Sequence, residues 1–362
     1  MPLARHWSGS GTIIISIHDP ENSVQMKEAY SYSLRKLNTF GIAVKAKAYI
    51  RLDSLQEAKD FLAGGGARGT KCLVLGGGSN ILFTGDYSGT VVQPAFRGIE
   101  IIKAGSSAIH LSAEAGLEWD SLVEWAVSNK FGGLENLSYI PGKVGAAPIQ
   151  NIGAYGVEVA EYIRAVHTLD LESGKPHHFT PDECKFGYRD SIFKNELQNK
   201  HLIHSVEFSL HRQSTRYKLD YGNLEQSARE EGEITPASIR KAIIKTRKEK
   251  LPDPGKTGNA GSFFKNPVVD ESTYEELLTD YPCMPAWKTN KGTYKLAAAW
   301  LIEKAGWKGK KSGSAGVHDR HALILINHGD AEGREVLELS NLIAESVRSM
   351  FGISLVKEVN II

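Results

Sequence analysis

Residues 139–156 read Tyr-Ile-Pro-Gly-Lys-Val-Gly-Ala-Ala-Pro-Ile-Gln-Asn-Ile-Gly-Ala-Tyr-Gly, with four glycines, two prolines and a single charged side chain, Lys143. A loop that faces solvent would be more polar, so this composition predicts a buried loop. Small residues let the backbone approach a ligand closely, and such a loop suits the edge of a flat aromatic cofactor. A buried loop with a purely structural role is the alternative that the run leaves open.

A second glycine cluster, Gly76-Gly77-Gly78-Ser79-Asn80, follows the short apolar run 72–75, which is typical of a buried strand. Successive backbone N–H groups without side chains can form a nest for a diphosphate, although a plain tight turn fits equally well. The run 64–69 formally matches GxGxxG, but a predicted helix precedes it and a predicted strand follows it. A dinucleotide fingerprint needs the reverse order, so this run is interpreted as a turn that ends a helix.

The run 259–267, Asn-Ala-Gly-Ser-Phe-Phe-Lys-Asn-Pro, places Ser262 between small residues and two aromatic rings. A hydroxyl group in these surroundings can give a proton to, or take one from, a ligand that approaches the backbone closely. The alternative is a glycine turn that enters a strand, with the Ser262 hydroxyl bonded to a local amide.

Two charged residues are further candidates. Arg189 lies in the turn-like sequence Tyr188-Arg189-Asp190, where a guanidinium can hold a carboxylate through two parallel hydrogen bonds; a surface ion pair with Asp190 is the alternative. Glu358 shares a face of the predicted last strand with apolar residues. Burial on that face would raise the pKa of its carboxyl and suit it to proton transfer. An edge-strand charge that discourages aggregation is the alternative.

The chain has 362 residues, of which 41% are hydrophobic and 23% charged, and its net charge is +1. This length predicts two or three domains, and the charge argues against general nucleic-acid binding. The three cysteines form no CxxC pair, so neither a disulfide framework nor a zinc ribbon is predicted, and a reducing cytosol is expected. The apolar run 12–17 lacks the features of a signal peptide, and no apolar run approaches the roughly 18 residues of a membrane helix. No metal site is predicted.

Hydrophobic periodicity and turn signals predict an α+β arrangement rather than regular alternation of strands and helices. The predicted strands are 47–50, 72–75, 99–103, 163–171, 202–210, 321–327 and 353–362. The predicted helices are 53–62, 118–129, 236–250, 294–305 and 334–351, with Asp53 and Thr235 as N-terminal caps.

The predicted helix 236–250 is strongly basic, with Arg or Lys at positions 240, 241, 245, 247, 248 and 250. Such a set is usually a solvated helix face. Arg247 and Lys250 lie in the last turn of this helix, near the Ser262 run, so they are candidates to meet an anionic substrate.

Taken together, these runs resemble the MurB family of UDP-N-acetylenolpyruvoylglucosamine reductases, flavoenzymes of bacterial cell-wall synthesis. The resemblance spans residues 35–362, and the matching segments are 38–41, 75–83, 133–157, 188–194, 258–267 and Glu358-Val359. Residues 142–156 and 259–267 are the specific ones, whereas the Gly76–Asn80 turn is shared with related flavin oxidases. Residues 217–222 look like the substrate-covering tyrosine loop of the family's first structural type.

The resemblance implies an α+β protein with the FAD-binding fold of the vanillyl-alcohol oxidase/MurB type and an additional α+β substrate-binding domain. The implied domains are a variable lead-in at 1–25, a first FAD-binding subdomain at 26–91, a second one at 92–250 plus 352–362, and a substrate-binding domain at 251–351.

The implied reaction is the NADPH-dependent reduction of UDP-N-acetylglucosamine enolpyruvate to UDP-N-acetylmuramate by a cytoplasmic enzyme that holds FAD noncovalently. NADPH reduces the flavin, whose N5 passes a hydride to C3 of the enolpyruvyl group. By similarity, Arg189 and Glu358 stabilise the enol-like intermediate, and Ser262 protonates C2. A monomer is expected, with the UDP-sugar and NADPH as its partners.

The implied contacts fall into two sets. Residues that match substrate-contacting positions are Tyr188, Tyr221, Lys250 and Asn266. Residues expected to contact FAD are Gly76, Gly77, Gly78, Ser79, Asn80, Ile140, Gly142, Ala146, Ile149, Gln150, Ile152, Gly153 and Arg189.

Two departures from the family pattern stand out. Asn360 follows Glu358-Val359 where the family often has arginine, and Ala146-Ala147 stand where some members carry serines. The absence of arginine at position 360 puts one flavin or substrate contact in doubt. The alanines lack a hydroxyl group that could bond the flavin, so only backbone contacts are expected there. Two alternatives remain at this stage: an FAD oxidase of the same fold that acts on an alcohol or sugar, or an inactive protein that binds a UDP-sugar.

Overall fold

The computed structural model describes residues 4–7, 13–16, 28–212, 217–289 and 291–362. The chain divides into two compact units, each built from several segments. The first unit comprises Met1–Tyr32, Ala46–Gly77 and Ser88–Arg247; the second comprises Ser33–Lys45, Gly78–Tyr87 and Lys248–Ile362. Most of the predicted lead-in at 1–25 lies outside the described residues, and the domain bounds expected from the sequence stay predictions.

In chain order the strands are β1 (Ala4–Trp7), β2 (Ile13–Ser16), β3 (Glu28–Ser33), β4 (Lys45–Leu52), β5 (Cys72–Val74), β6 (Ile81–Leu82), β7 (Tyr87–Pro94), β8 (Gly98–Ala104), β9 (Ala108–Glu114), β10 (Gly153–Ala154), β11 (Val157–Glu158), β12 (Ile163–Asp170), β13 (Pro176–Phe179), β14 (His201–His211), β15 (Gly258–Ser262), β16 (Val268–Val269), β17 (Ala286–Lys288), β18 (Tyr294–Leu296), β19 (Lys311–Ser312), β20 (Ala315–Val317), β21 (Ile324–Asn327) and β22 (Asn360–Ile361). The helices are α1 (Leu55–Ala63), α2 (Trp119–Ser128), α3 (Leu224–Glu230), α4 (Pro236–Lys250), α5 (Glu271–Asp280), α6 (Ala298–Lys304) and α7 (Gly333–Phe351).

The main sheet of the first unit has seven strands in the order β1-β2-β8-β9-β14-β12-β13, all paired antiparallel. Alternate residues of β9 are buried, as expected for a strand with one face on the core. Helix α2 packs on that face through Trp119, Leu122, Val123 and Ala126, which recur at helical spacing. The same core includes Val144, Ala147 and Ile152, so it anchors the glycine-rich run 139–156.

The second unit contains a four-stranded sheet, β15-β21-β20-β19, and a three-stranded sheet, β16-β18-β17. Helix α7 packs on β20 and β21. A capping box between Glu332 and Glu335 starts this helix, and Gly352 ends it in a left-handed conformation. Within the same unit, β22 pairs in parallel with β6.

Most of the predicted elements are confirmed, although their ends differ in places. Strands β4, β5, β8, β12 and β14 and helices α1, α2, α4 and α7 lie where the sequence predicted them. The predicted cap of α1 is wrong: Ser54, one residue later than Asp53, adopts an extended conformation, and its hydroxyl accepts the N–H of Glu57 at 3.1 Å. Helices α3 and α5 lack a strong periodic signal and were not predicted.

Three predictions in the C-terminal region are corrected. The helix predicted at 294–305 begins with strand β18 and becomes helical only at α6, because β18 pairs with both β16 and β17. The strand predicted at 321–327 is the shorter β21, since a turn from His321 to Ile324 precedes it. The strand predicted at 353–362 is reduced to β22 because the preceding residues pair only irregularly with residues 263–265. Within the described part of the chain, no helix has the length and apolar character of a membrane span.

Candidate active site

In the first unit, the two glycine runs pack against each other. A Cβ added to Gly77 would lie 3.1 Å from the Cα of Gly142, and one added to Gly76 would lie 3.5 Å from the Cβ of Ala146. Gly142 is itself fixed, because its carbonyl oxygen accepts the N–H of Trp119 at 2.9 Å. The structure therefore brings together candidate cofactor residues that lie far apart in the sequence, and the absence of side chains is what allows their backbones to approach.

The run 139–156 is only partly the buried loop that its composition predicts. Val144, Ala147 and Ile152 are buried in the core, whereas the candidate residues that remain half-buried are Ile140, Gly142, Ala146, Ile149, Gln150 and Gly153. One side of the loop is thus anchored, and the other carries small and apolar groups that are only half-buried, with Ile140 and Ile149 packed partly against the core. This arrangement fits a flat aromatic cofactor such as flavin, which needs an apolar edge and close backbone approach.

Arg189 lies against the end of this loop. Its guanidinium donates hydrogen bonds to the carbonyl oxygens of Gly153 and Asn151, the latter at 3.5 Å. A Cβ on residue 153 would lie 2.7 Å from Nη1 of Arg189 and 2.9 Å from the backbone carbonyl oxygen of Val157, so a larger residue there would force one of these groups to move. Arg189 has a φ of 54°, an uncommon conformation for a residue with a side chain. Asp190 accepts a hydrogen bond from Asn195 at 3.0 Å, and Tyr188 lies beside Arg189, with the ring centroid 5.6 Å from Cζ.

The start of the same loop is held by charged side chains. Tyr139, with a φ of 60°, donates its N–H to Asp120 at 2.5 Å, and its carbonyl oxygen accepts from Nε of Arg247 at 3.1 Å. Asp120 also forms a bidentate ion pair with Arg240, with hydrogen bonds of 2.5 and 2.8 Å. The backbone N–H and the carbonyl group of Tyr139 are therefore both held by hydrogen bonds, which stabilises the left-handed conformation of this residue.

These contacts correct the interpretation of the basic helix as a solvated face. Arg240 is largely buried, and Arg247 is half-buried, whereas the lysines of the helix are exposed. Burial is the main cause that lowers the pKa of Arg247, and the positive charge of Arg189 lowers it further. The guanidinium groups of Arg189 and Arg247 thus repel each other within the first unit, and their combined positive charge favours the binding of an anion.

Tyr221, the predicted substrate-covering tyrosine, is 50% exposed. Its ring meets the ring of Tyr155 edge to face, with the centroids 5.6 Å apart. Tyr155 belongs to the glycine-rich run, where it has a φ of 48° in the turn between β10 and β11. Burial raises the pKa of its phenol group.

In the second unit, Ser262 is the last residue of β15. The pairing of β15 with β21 is irregular between Asn259 and Ser262, and bulges of this kind re-aim side chains. Buried Asn259 holds the irregular segment because its Oδ1 accepts the N–H of Gly261 at 3.0 Å. The two aromatic residues that follow, Phe263 and Phe264, are fully buried and fix the segment from its other end.

Glu358 lies on the backbone next to this segment. Its N–H donates to the carbonyl oxygen of Phe263 at 2.8 Å, and its carbonyl oxygen accepts from Nδ2 of Asn80 at 3.3 Å. The structure therefore places Ser262 and Glu358 on adjacent, hydrogen-bonded segments. Glu358 is half-buried in an irregular segment rather than on a regular strand, so the raised pKa expected of it stays a prediction.

Asn360, Gly78 and Ser79 are further residues of the second unit that the sequence singles out. Asn360, which stands where the family often has arginine, donates through Nδ2 to the carbonyl oxygen of Asn80 at 3.0 Å. Gly78 accepts the N–H of Thr39 at 3.1 Å, and Ser79 is half-buried.

Two predicted substrate contacts also lie in the second unit. Asn266 accepts the first N–H of α6, from Ala298, at 3.0 Å, so its amide oxygen has a structural role. Lys250 is exposed at the end of α4, and its charge contributes to lowering the pKa of His321, for which burial is the main cause.

Sequence reasoning left several residues of this region without a role. Arg240 is one of them, and the signal for it is its distance of seven positions from the candidate Arg247, which places the two residues on one helix face. Asp120 and Tyr155 carried no comparable signal, because their partners are backbone groups and an aromatic ring that only the fold brings near.

Family models match two parts of the chain. Residues 46–180 match the model described as FAD binding domain, and residues 253–362 match the model of the UDP-N-acetylenolpyruvoylglucosamine reductase C-terminal domain. A crystal structure of the MurB enzyme from Thermus caldophilus is similar in fold, with a TM-score of 0.62 and 24% identity over 92% of this chain and 97% of that one. The predicted FAD-binding α+β fold is therefore confirmed.

Similarity to curated relatives extends along nearly the whole chain. The protein named UDP-N-acetylenolpyruvoylglucosamine reductase is 44% identical in Bacteroides fragilis, over 91% of this chain and 99% of the relative. The protein of that name in Pseudomonas putida is 44% identical over 94% and 99%. That of Flavobacterium johnsoniae is 41% identical over 92% and 98%. With this identity over this length, the chain belongs to the UDP-N-acetylenolpyruvoylglucosamine reductase (MurB) family.

Proposed function

We propose that the protein is a UDP-N-acetylmuramate dehydrogenase, which uses NADPH and bound FAD to reduce UDP-N-acetylglucosamine enolpyruvate to UDP-N-acetylmuramate in the synthesis of peptidoglycan precursors. The observation that carries the proposal is the pairing of the Ser262 segment with the Glu358 segment. It places a hydroxyl and a carboxylate on adjacent backbones in a chain whose relatives bear this reductase name.

FAD is the cofactor, and we expect it to be held without a covalent bond. The glycines at 76, 77, 142 and 153 would let the backbone approach it, and the half-buried Ile140, Ala146 and Ile149 would line its edge. Ile152, which is buried in the core, would hold the loop behind them. Gln150, Gly78, Ser79 and Asn80 complete the proposed set. When bound, FAD supplies the hydride that NADPH provides and the enolpyruvyl carbon C3 receives.

Arg189 is assigned to the substrate carboxylate. The addition of a hydride to C3 leaves negative charge that is delocalised from C2 into this carboxylate, and a fixed guanidinium stabilises such charge. Its bonds to Gly153 and Asn151 position it before substrate binds, so little reorganisation is needed. Arg247 supports the same function through its positive charge in the first unit.

Ser262 is assigned as the proton donor to C2. A serine hydroxyl is a weak acid, so the transfer depends on the strong basicity of the enol-like intermediate. Glu358 is assigned to stabilise that intermediate together with Arg189 and to return a proton to the hydroxyl, two roles that both require its carboxyl group to be protonated. The bulge in β15 and the buried aromatic pair fix the serine backbone, which keeps the donor oriented.

Four side chains are assigned to the rest of the substrate. Tyr221 would close over the nucleotide diphosphate, and Lys250 would supply positive charge at the end of α4. The amide oxygen of Asn266 is bound to α6, so its NH₂ group is the part that can donate to the substrate. Tyr188 completes the set. A cytoplasmic monomer with the domain bounds given above also belongs to this proposal.

An anaerobic absorbance titration tests the proposal as a whole. The purified protein is expected to show an oxidised flavin spectrum that bleaches with NADPH and returns when the enolpyruvyl UDP-sugar is added. Flavin that bleaches but returns only with oxygen would instead indicate an oxidase of the same fold. A protein that binds the UDP-sugar but takes up no flavin, even after reconstitution with FAD, would be an inactive binding protein.

A further inference from the structure

Asn136 joins two segments of the first unit through one side chain. Its Nδ2 donates to the carbonyl oxygen of Tyr155 at 2.9 Å and to that of Lys218 at 2.8 Å. Asn136 is 1% exposed, so water cannot readily replace these bonds. A hydrogen bond from a buried donor is costly to lose, and this amide therefore helps to hold both segments in position.

Each of the two segments carries a tyrosine of the candidate site. The first is the β10–β11 turn, in which Tyr155 has a φ of 48° and Gly156 a φ of 78°. The second is residues 217–222, whose Tyr221 meets Tyr155 edge to face at 5.6 Å. A left-handed tyrosine is strained and persists only where its surroundings fix it, and the bond from Asn136 is part of that fixation.

The 217–222 segment is anchored at its start and exposed near its end. Tyr217 and Leu219 pack against the small core of α3 and α4, and Nζ of Lys218 pairs with Glu161 at 2.6 Å on the surface. Tyr221, by contrast, is half-exposed. The buried tie to Asn136 therefore sits at the base of the segment that presents Tyr221, and it links this base to the turn that carries Tyr155.

We infer that Asn136 is a positioning residue: it couples the Tyr221 segment to the Tyr155 turn and thereby sets the angle at which Tyr221 covers the substrate. The inference rests on the proposed function for the role of Tyr221. Asn136 would touch neither substrate nor flavin, and it would act on substrate affinity rather than on hydride transfer.

The test compares Asn136→Leu, which keeps the side-chain shape but removes both donors, with Arg51→Met as the control. Asn136→Leu is expected to raise the KM for the enolpyruvyl UDP-sugar about tenfold, as expected when a buried bond is lost, while the rate of flavin reduction by NADPH is unchanged. Arg51→Met loses only a surface ion pair with Asp53, in the same unit but outside the candidate site, and is expected to leave both values unchanged.

A double variant shows whether the effect passes through the tyrosine. In the Tyr221→Ala background, Asn136→Leu is expected to add nothing further to KM. An unchanged KM in the single variant, or a full additional tenfold effect in the double variant, would overturn the inference.

Two further measurements keep the test decisive. Amide hydrogen exchange of peptides covering residues 217–223 is expected to rise in Asn136→Leu and not in the control, and unchanged exchange would refute the tie even if the parent protein does not turn over. A parent whose reduced flavin is not reoxidised by the enolpyruvyl sugar would refute the proposed function instead.

If Asn136→Leu does not fold, Asn136→Asp takes its place. The KM of this variant should fall towards the parental value as the pH is lowered, because the protonated carboxyl can again donate one bond. A pH-independent KM would contradict the role.

Discussion

The glycine-rich run 139–156 of the first unit and the run 258–267 of the second differ in what they offer to a ligand. The first is anchored in the core on one side, and its other side presents backbone, apolar edges and the fixed guanidinium of Arg189. The second is a bulged strand end that holds a hydroxyl beside the segment of a carboxylate. If the proposed roles hold, cofactor holding and proton chemistry have separate structural bases, so substitutions should separate them.

The largest effect that would sharpen this comparison is expected for Arg189→Ala. Removal of a fixed donor for developing charge typically slows turnover by about 10²–10³-fold, and we expect a loss of this size with little change in melting temperature. Steady-state kinetics and thermal unfolding on the same preparation measure both. Arg189→Lys, which keeps the charge but not the fork, should recover only part of the rate. A collapse in melting temperature with normal activity per folded molecule would show that Arg189 is structural.

A moderate effect is expected for Gly153→Ala, which tests whether the first run depends on close packing. The new Cβ would lie 2.7 Å from Nη1 of Arg189 and 2.9 Å from the carbonyl oxygen of Val157. Overpacking of this kind costs about 1–3 kcal/mol, and the displaced loop should also hold less flavin, measured as the flavin-to-protein absorbance ratio. Gly187→Ala is the control, because its Cβ would meet Asp190 only at an ordinary 3.6 Å. Equal stability of the two variants would break the account of Gly153.

The smallest effect concerns pH and the sheet of the first unit. Burial, together with the charges of His167 and Lys59, lowers the pKa of His204 from 6.5 to about 4. The folded state therefore favours neutral His204, and unfolding takes up a proton between these pH values. The free energy of unfolding should fall as the pH drops from 6.5 towards 4. Denaturant titrations at several pH values across this range should show that the free energy of unfolding depends less on pH in His204→Gln than in the parent. The same pH dependence in both proteins would contradict this assignment.

The sequence carried most of the fold wherever the pattern was periodic. Helix α7 repeats its apolar residues at helical spacing, and the capping box and terminal glycine mark its ends. Buried and less buried residues alternate along much of strands β9 and β14 because one face of each strand packs in the core that includes α2. The strand predicted at residues 353–359 is wrong because the pairing there is irregular. The backbone is held by hydrogen bonds to Phe263 and Asn80, which have no local sequence signal.

The candidate site divides in the same way. Runs with unusual composition, such as 139–156, predicted where ligands could approach, and the resemblance supplied the roles proposed for Arg189, Ser262 and Glu358. Asp120, Tyr155 and Asn136 could not be predicted, because each acts through a partner that is distant in sequence. Their importance follows only from the hydrogen bonds and ring contact that the fold creates.

The most direct test of the division between the two runs is an anaerobic stopped-flow experiment on Ser262→Ala, with Ser312→Ala on the exposed strand β19 of the same unit as the control. The flavin of Ser262→Ala should be reduced by NADPH at the parental rate, whereas its reoxidation by the enolpyruvyl UDP-sugar should slow by about 10²–10⁴-fold, the range that a positioned proton donor supplies. The control should match the parent in both steps. Reoxidation of Ser262→Ala at the parental rate, or equal loss of both half-reactions, would contradict the assignment of proton chemistry to the second unit.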